Sequence, residues 1–202
     1  MSDRAAPYSS ADPITLTGGA HPSEEPGVLI SAVQSGDLAF STLYERYLDR
    51  IYAYLRARTA TDEDAADLTQ QVFLQALSAL PRYREGKTPF AAWLFRIARN
   101  AAIDGRRRAR PSTTLDALPL VLLAAGDLST EAQVLRRERL ERLRTLLSAL
   151  DRDKRELLAL RFAAGLTIAE TAVVVGKSEA AVKKSLFRLL HALKEQTHDL
   201  AD

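Results

Sequence analysis

Thr167-Ile168-Ala169-Glu170-Thr171-Ala172-Val173-Val174-Val175-Gly176-Lys177-Ser178-Glu179-Ala180-Ala181-Val182-Lys183-Lys184-Ser185-Leu186-Phe187-Arg188-Leu189-Leu190 is the stretch whose reading decides the fold. Ala172, Gly176 and Val182 stand where a helix-turn-helix needs them. A small residue sits where one helix crosses the other, a glycine supplies positive φ in the turn, and an apolar anchor points back from the second helix. That anchor continues through Leu186, Leu189, Leu190 and Leu193. Both helices carry entry signals: Thr167-x-x-Glu170 reads as a capping box, and Ser178 as an N-cap. The inward stripe leaves Glu179, Ala180, Lys183, Lys184, Phe187 and Arg188 on or near the outer face. Small residues allow close approach to a DNA groove, and Lys or Arg meets phosphates or guanine edges. The competing reading is an ordinary helical hairpin with a solvated lysine face.

Upstream, the periodicity stays helical. Phe40, Leu43, Tyr44, Tyr47, Leu48, Ile51 and Leu55 follow the spacing of a buried helix face, after a turn and N-cap at Gly36-Asp37. Thr61-x-x-Asp64 resembles a capping box and opens a helix with Ala65, Leu68, Val72, Phe73, Ala76, Leu77 and Leu80 inward. Pro81 stops it. Thr88-Pro89 reads as an N-cap followed by proline in the first helical position, before Phe90, Trp93, Leu94, Ile97 and Ala98. Strand-like alternation is absent. The expected fold is all-α: two small helical domains joined by a flexible linker, the C-terminal one a helix-turn-helix.

Punctuation sets the boundaries. Pro7, Pro13, Pro22 and Pro26 crowd a Ser/Thr/Gly-rich tail over 1–26, expected to be disordered. A first domain follows over 27–110, a linker over 111–130 and a second domain over 131–198. Within the linker, Leu118-Pro119-Leu120-Val121-Leu122-Leu123 is too apolar for a solvated tether and is expected to be covered in the working state.

Composition excludes several function classes. The 202 residues include no cysteine, so disulfides and thiolate metal sites are out. The three histidines fall in the tail and near the far end, without catalytic or metal-binding spacing. Cofactors and metals are therefore not expected, and neither is an enzyme. No membrane span or export signal is legible, which places the chain in the cytoplasm. Net charge is only +2, yet the pI of about 9.0 points to an acidic partner. The cations cluster in Gly105-Arg106-Arg107-Arg108-Ala109-Arg110 and between Lys177 and Lys194.

Three motifs in order carry a family resemblance. Asp64-Ala65-Ala66-Asp67-Leu68-Thr69-Gln70-Gln71-Val72-Phe73, the segment from Phe90 to Asp104, and Leu150 to Arg161 with the following helix-turn-helix together resemble the extracytoplasmic-function class of bacterial sigma factors. The resemblance covers about residues 28–110 and 131–195 and implies core RNA polymerase and promoter DNA as partners. Family members are often held inactive by an anti-sigma protein, a further implied partner. It assigns Asp64, Asp67, Gln70, Gln71 and Phe73 to polymerase binding. It assigns Arg82, Tyr83, Arg84, Lys87, Arg96, Arg99, Asn100, Arg106, Arg107 and Arg108 to the −10 element and promoter melting. Ser178, Glu179, Ala180, Ala181, Lys183, Lys184, Phe187 and Arg188 fall to the −35 element.

The residues themselves agree in kind. Arg82-Tyr83-Arg84-Glu85-Gly86-Lys87 is a basic loop with an aromatic, suited to a backbone and an unstacked base, or else a plain surface turn. Trp93 reads as core packing. The chain departs from the family pattern at Ala66 and Gln71, where glutamates are common, and at Lys177, Ala181 and Ser185. A stand-alone regulator with an N-terminal sensing domain is the alternative function, and it would bind its operator tightly without polymerase.

Overall fold

The computed structural model describes residues 26–36, 40–84, 86, 88–108 and 141–198, and every regular element among them is helical. The N-terminal group comprises α1 (Pro26–Ser35), α2 (Phe40–Arg56), α3 (Asp62–Ala79), a 3-10 turn (Leu80–Arg82) and α4 (Phe90–Arg108). The C-terminal group comprises α5 over 141–148, α6 (Arg152–Leu158), a π turn (Ala159–Ala163), α7 (Ile168–Val175) and α8 (Glu179–His198). Of the expected tail over 1–26, residues 1–25 lie outside the described residues and Pro26 already begins α1; the linker over 111–130 and its apolar run Leu118–Leu123 also lie outside them.

In α2 the buried residues are Leu43, Tyr47, Ile51, Tyr54 and Leu55, recurring at helical spacing. Tyr44, expected on that face, is 38% exposed. It stands at the margin of the stripe, where its ring leans on Phe73 with centroids 4.6 Å apart. Thr61 caps α3, its hydroxyl accepting from the Asp64 amide at 3.0 Å. The inner stripe of α3 is Ala65, Thr69, Val72, Phe73 and Ala76. Leu77, expected inward, is 48% exposed because it lies about a quarter turn past the centre of that stripe.

Pro81 ends α3 as expected, and the 3-10 turn follows. The released carbonyls are caught from α1: Gln34 Nε2 donates to Leu80 O at 2.7 Å and to Tyr83 O at 3.1 Å. Pro89 precedes α4 rather than occupying its first position. Its carbonyl accepts from the Trp93 amide at 3.0 Å, so the helix begins one residue later than expected.

One apolar core runs through both groups. Tyr54, Leu55, Leu94, Phe95 and Ala98 from the N-terminal group pack in the same cluster as Leu158, Leu160, Ala164, Leu166 and Val174. Leu157, Ala172, Val182 and Leu186 form a second, smaller cluster beneath the helix-turn-helix.

Candidate nucleic-acid interface

The helix-turn-helix is built from its caps inward. Thr167 closes a capping box on α7: its hydroxyl accepts from the Glu170 amide at 3.1 Å, while the Glu170 carboxylate accepts from the Thr167 amide at 2.8 Å. Gly176 ends α7 at φ 69° and ψ 34°, the left-handed conformation that glycine adopts without strain. Ser178 Oγ then accepts from the Ala181 amide at 3.2 Å, starting α8. Ala172 is buried at the crossing, and Val182 and Leu186 are sealed from solvent. Each sealed aliphatic side chain contributes about 1.5–3 kcal/mol, which fixes which face of α8 looks out. That outer face carries Ser178, Glu179, Ala180, Ala181, Lys183, Lys184, Phe187 and Arg188, all exposed, with Phe187 at 64%.

The α3 residues divide. Asp64, Asp67 and Gln70 are exposed and Gln71 is half-buried, giving one polar face in the first turns. Phe73 does not share it. At 5% exposure it belongs to the core, edge-on to Phe40 and against Tyr44. Its inward place agrees with the periodicity, and its assigned part in polymerase binding is to support this face from below.

A basic face runs along α4. Arg96, Asn100, Arg106 and Arg107 are exposed, and Arg107 pairs loosely with Asp104 at 3.9 Å. Positions 96, 99 and 100 share one side of the helix by spacing. Arg99 is half-buried and ion-paired with Glu156 of α6, its Nε lying 3.6 Å from the carboxylate. Arg108 closes the helix, and its side chain lies outside the described residues, as does Lys87.

In the preceding loop Arg82 and Arg84 are exposed, with Arg84 donating to the carbonyls of Pro81 and Tyr83. Tyr83 does not lie open with them. It is 5% exposed, its ring packs against Phe90 and Trp93, and its hydroxyl donates to Thr88 O at 2.9 Å. An aromatic with its polar tip satisfied inside the loop gains more from burial than from display. It offers no open stacking platform here, and Trp93 is the more accessible ring of the cluster. Arg58, just beyond α2, was missed from the sequence. It is 13% exposed and also pairs with Glu156.

Comparison with known proteins gives the family. The sigma-70 region 2 family model matches residues 43–111, and the sigma-70 region 4 model matches residues 140–193. The chain is 33% identical over 173 residues to the ECF RNA polymerase sigma factor SigD of Mycobacterium tuberculosis, covering 84% of this chain and 82% of that one. It belongs to the ECF class of RNA polymerase sigma factors.

Two further relatives agree. The ECF sigma factor BldN of Streptomyces coelicolor is 34% identical over 168 residues, 82% of this sigma factor and 63% of that relative. The ECF sigma-E factor of Escherichia coli K12 is 31% identical over 183 residues, with 86% and 94% covered. Among solved structures, CnrH in complex with the cytosolic domain of CnrY superposes with a TM-score of 0.61 at 26% identity, covering 85% of this chain and 96% of that one. The chain is thus a sigma factor acting in transcription initiation. No described helix is long and apolar enough to cross a membrane, and no described cluster of His, Cys, Asp and Glu could hold a metal ion.

Proposed function

We propose that this sigma factor binds core RNA polymerase through a first domain, residues 27–110, and reads the −35 element through a second, residues 131–198. The polymerase contact is the polar face of α3, with Asp64, Asp67, Gln70 and Gln71. The duplex contact is the outer face of α8, where Lys183, Lys184 and Arg188 meet phosphates or base edges. Arg82, Arg84, Arg96, Arg99, Asn100, Arg106 and Arg107 then receive the melted −10 strand, exchanging base stacking for protein contacts and phosphate neutralisation.

The observation that carries this reading is a division of labour within one chain. A capped helix-turn-helix with a basic outer face lies beyond a separate basic helix whose exposed side chains suit a single strand. The chain works in the cytoplasm with polymerase and performs no bond chemistry. CnrH was solved with a protein partner, CnrY. An anti-sigma protein, as the family resemblance implies, is a partner proposed for this chain as well.

Transcription by core polymerase on a genomic promoter library, with and without the protein, tests the proposal. Specific open complexes should form only when both are present, because linking two weak sites raises their effective concentration. The free protein should bind duplex weakly and with strong salt dependence. Tight, sequence-specific binding without polymerase, together with no stimulation of polymerase, would favour a stand-alone regulator instead.

A further inference from the structure

The two helix groups meet around one carboxylate. Glu156 of α6 is 5% exposed and faces away from its own domain. Its Oε1 accepts from the Tyr54 hydroxyl at 2.7 Å and lies 3.6 Å from Arg99 Nε, while its Oε2 is ion-paired with Arg58. All three partners come from the N-terminal group. Nearby, Arg50 Nε donates to Ala164 O at 2.8 Å and a second Arg50 nitrogen to Gly165 O at 3.3 Å, its guanidinium lying over Tyr47 and Phe95.

The charge balance across this contact is lopsided. Arg50, Arg58, Arg99 and Arg106 face it from one side, and Arg155 from the other. Arg155 is held below its ordinary value by burial first, then by Arg106 and Arg58. Two basic surfaces are therefore pressed together around Glu156, with Glu170 acting on Arg50 at the rim. The acceptors fall short. The Nε atoms of Arg58 and Arg99 are buried with no hydrogen-bond acceptor among the described residues. One carboxylate, already shared with a tyrosine, cannot satisfy two guanidinium forks.

We propose that Arg58 and Arg99 form a phosphodiester-binding site for single-stranded DNA, and that Glu156 occupies it in the free chain in place of a phosphate. The inference rests on the reading that the first domain receives the melted strand, and it adds both a site and its occlusion. Guanidinium groups bind phosphate and carboxylate through the same forked geometry, so one can replace the other. A phosphate offers oxygens to donors that the carboxylate leaves unpaired. Arg99 shares its face of α4 with Arg96 and Asn100, so the pair extends that track. The outer face of α8 is exposed in the same arrangement. The closed chain therefore masks the single-strand site and leaves the duplex site open. A buried ion pair is near break-even in net stability, which makes such a contact reversible.

Because the chain has no cysteine, dyes placed at S41C and Q196C, exposed positions in the two domains, report their separation. The probe is a fluorescein-labelled twenty-nucleotide oligo(dT), with folding checked by circular dichroism. E156Q should lengthen the dye separation and tighten oligonucleotide binding about tenfold, the gain expected if the closed form holds roughly nine-tenths of molecules. Adding R58A and R99A to E156Q should abolish the gain while the separation stays long. With Glu156 intact, saturating oligonucleotide should itself drive the dyes apart, whereas R58A/R99A, which removes the partners of Glu156, should show a long separation that oligonucleotide does not change further. An unchanged separation on oligonucleotide binding would overturn the occlusion. A gain in affinity that survives R58A/R99A would overturn the site. Open-complex formation by the unmodified protein with core polymerase, measured in parallel, tests the underlying reading separately, since it requires neither outcome.

Discussion

Replacing Gly176 by alanine tests how the recognition helix is aimed, and its cost can be worked out from the structure. An L-residue held in the left-handed region loses about 1–2 kcal/mol. Alanine also narrows the unfolded ensemble, which returns about 0.4–1 kcal/mol. Contact adds nothing, because a Cβ built at Gly176 has no atom within 4 Å. The amides of Gly176 and Lys177 both bond to Ala172 O, and both bonds survive the change. The net loss should therefore be small, about 0.5–1 kcal/mol. G176N should lie closer to the parent, since asparagine tolerates this conformation. Urea unfolding followed by far-ultraviolet circular dichroism measures the shift, and duplex binding in polymerase complexes should not move beyond it. A loss above about 3 kcal/mol, in the range of core cavities, would refute the reasoning by showing that Gly176 serves packing. A neutral alanine would refute it the other way.

Four further outcomes follow from the same geometry. Leu186→Ala should cost about 2–5 kcal/mol in urea unfolding, because Leu186 is sealed in the small cluster with Leu157, Ala172 and Val182. Charge reversal at Asp64 and Asp67 together should weaken a core-polymerase pull-down with helix content retained. Lys183→Ala or Arg188→Ala should cost about 1–3 kcal/mol of promoter binding for a base contact, whereas a phosphate contact would flatten the salt slope for every sequence alike. Burial, followed by effects that include Glu156, holds the Tyr54 phenol above its ordinary value, with Arg58 and Arg99 opposing. The unfolded chain releases that proton near pH 10 while the folded chain keeps it, so this contribution is intact below about pH 10 and lost as pH rises further. Y54F should flatten that part of the alkaline decline in urea midpoints.

The sequence was most legible where local rules act alone. Thr167, Gly176, Ser178 and Val182 each obey a rule set by neighbours a few residues away, and the structure realises all four. Periodicity located α2, α3 and α4 but blurred at stripe margins, where Tyr44 and Leu77 are decided by what packs opposite. The burial of Tyr83 was illegible for a related reason. A loop of charged residues suggests exposure, yet Phe90 and Trp93 of the next helix cover its ring. Glu156 and Arg58 were out of reach, since their meeting spans 98 positions, 156 less 58, and requires two domains to touch. The available hint was a glutamate within the buried stretch Leu157-Leu158-Ala159-Leu160, where a charge needs a partner.

The π turn over Ala159–Ala163 has a consequence for how this gene can vary in length. Glu156 through Arg161 are buried without interruption, and the Ala164 amide reaches back five residues to Ala159 O at 2.9 Å. Such a widened turn amounts to one residue inserted into a regular helix. Deleting a residue here would close the turn to regular geometry but remove or re-aim a side chain in a run that packs into the core, since Ala159, Leu160, Arg161 and Ala163 are all buried. The Arg161 bond to Leu166 O, which ties this turn to the segment leading into α7, would be lost or strained. Coding insertions and deletions of one codon should thus be tolerated in the surface connections and eliminated within these five positions, so that a deletion scan across the gene would show its sharpest gap at a point set by packing alone.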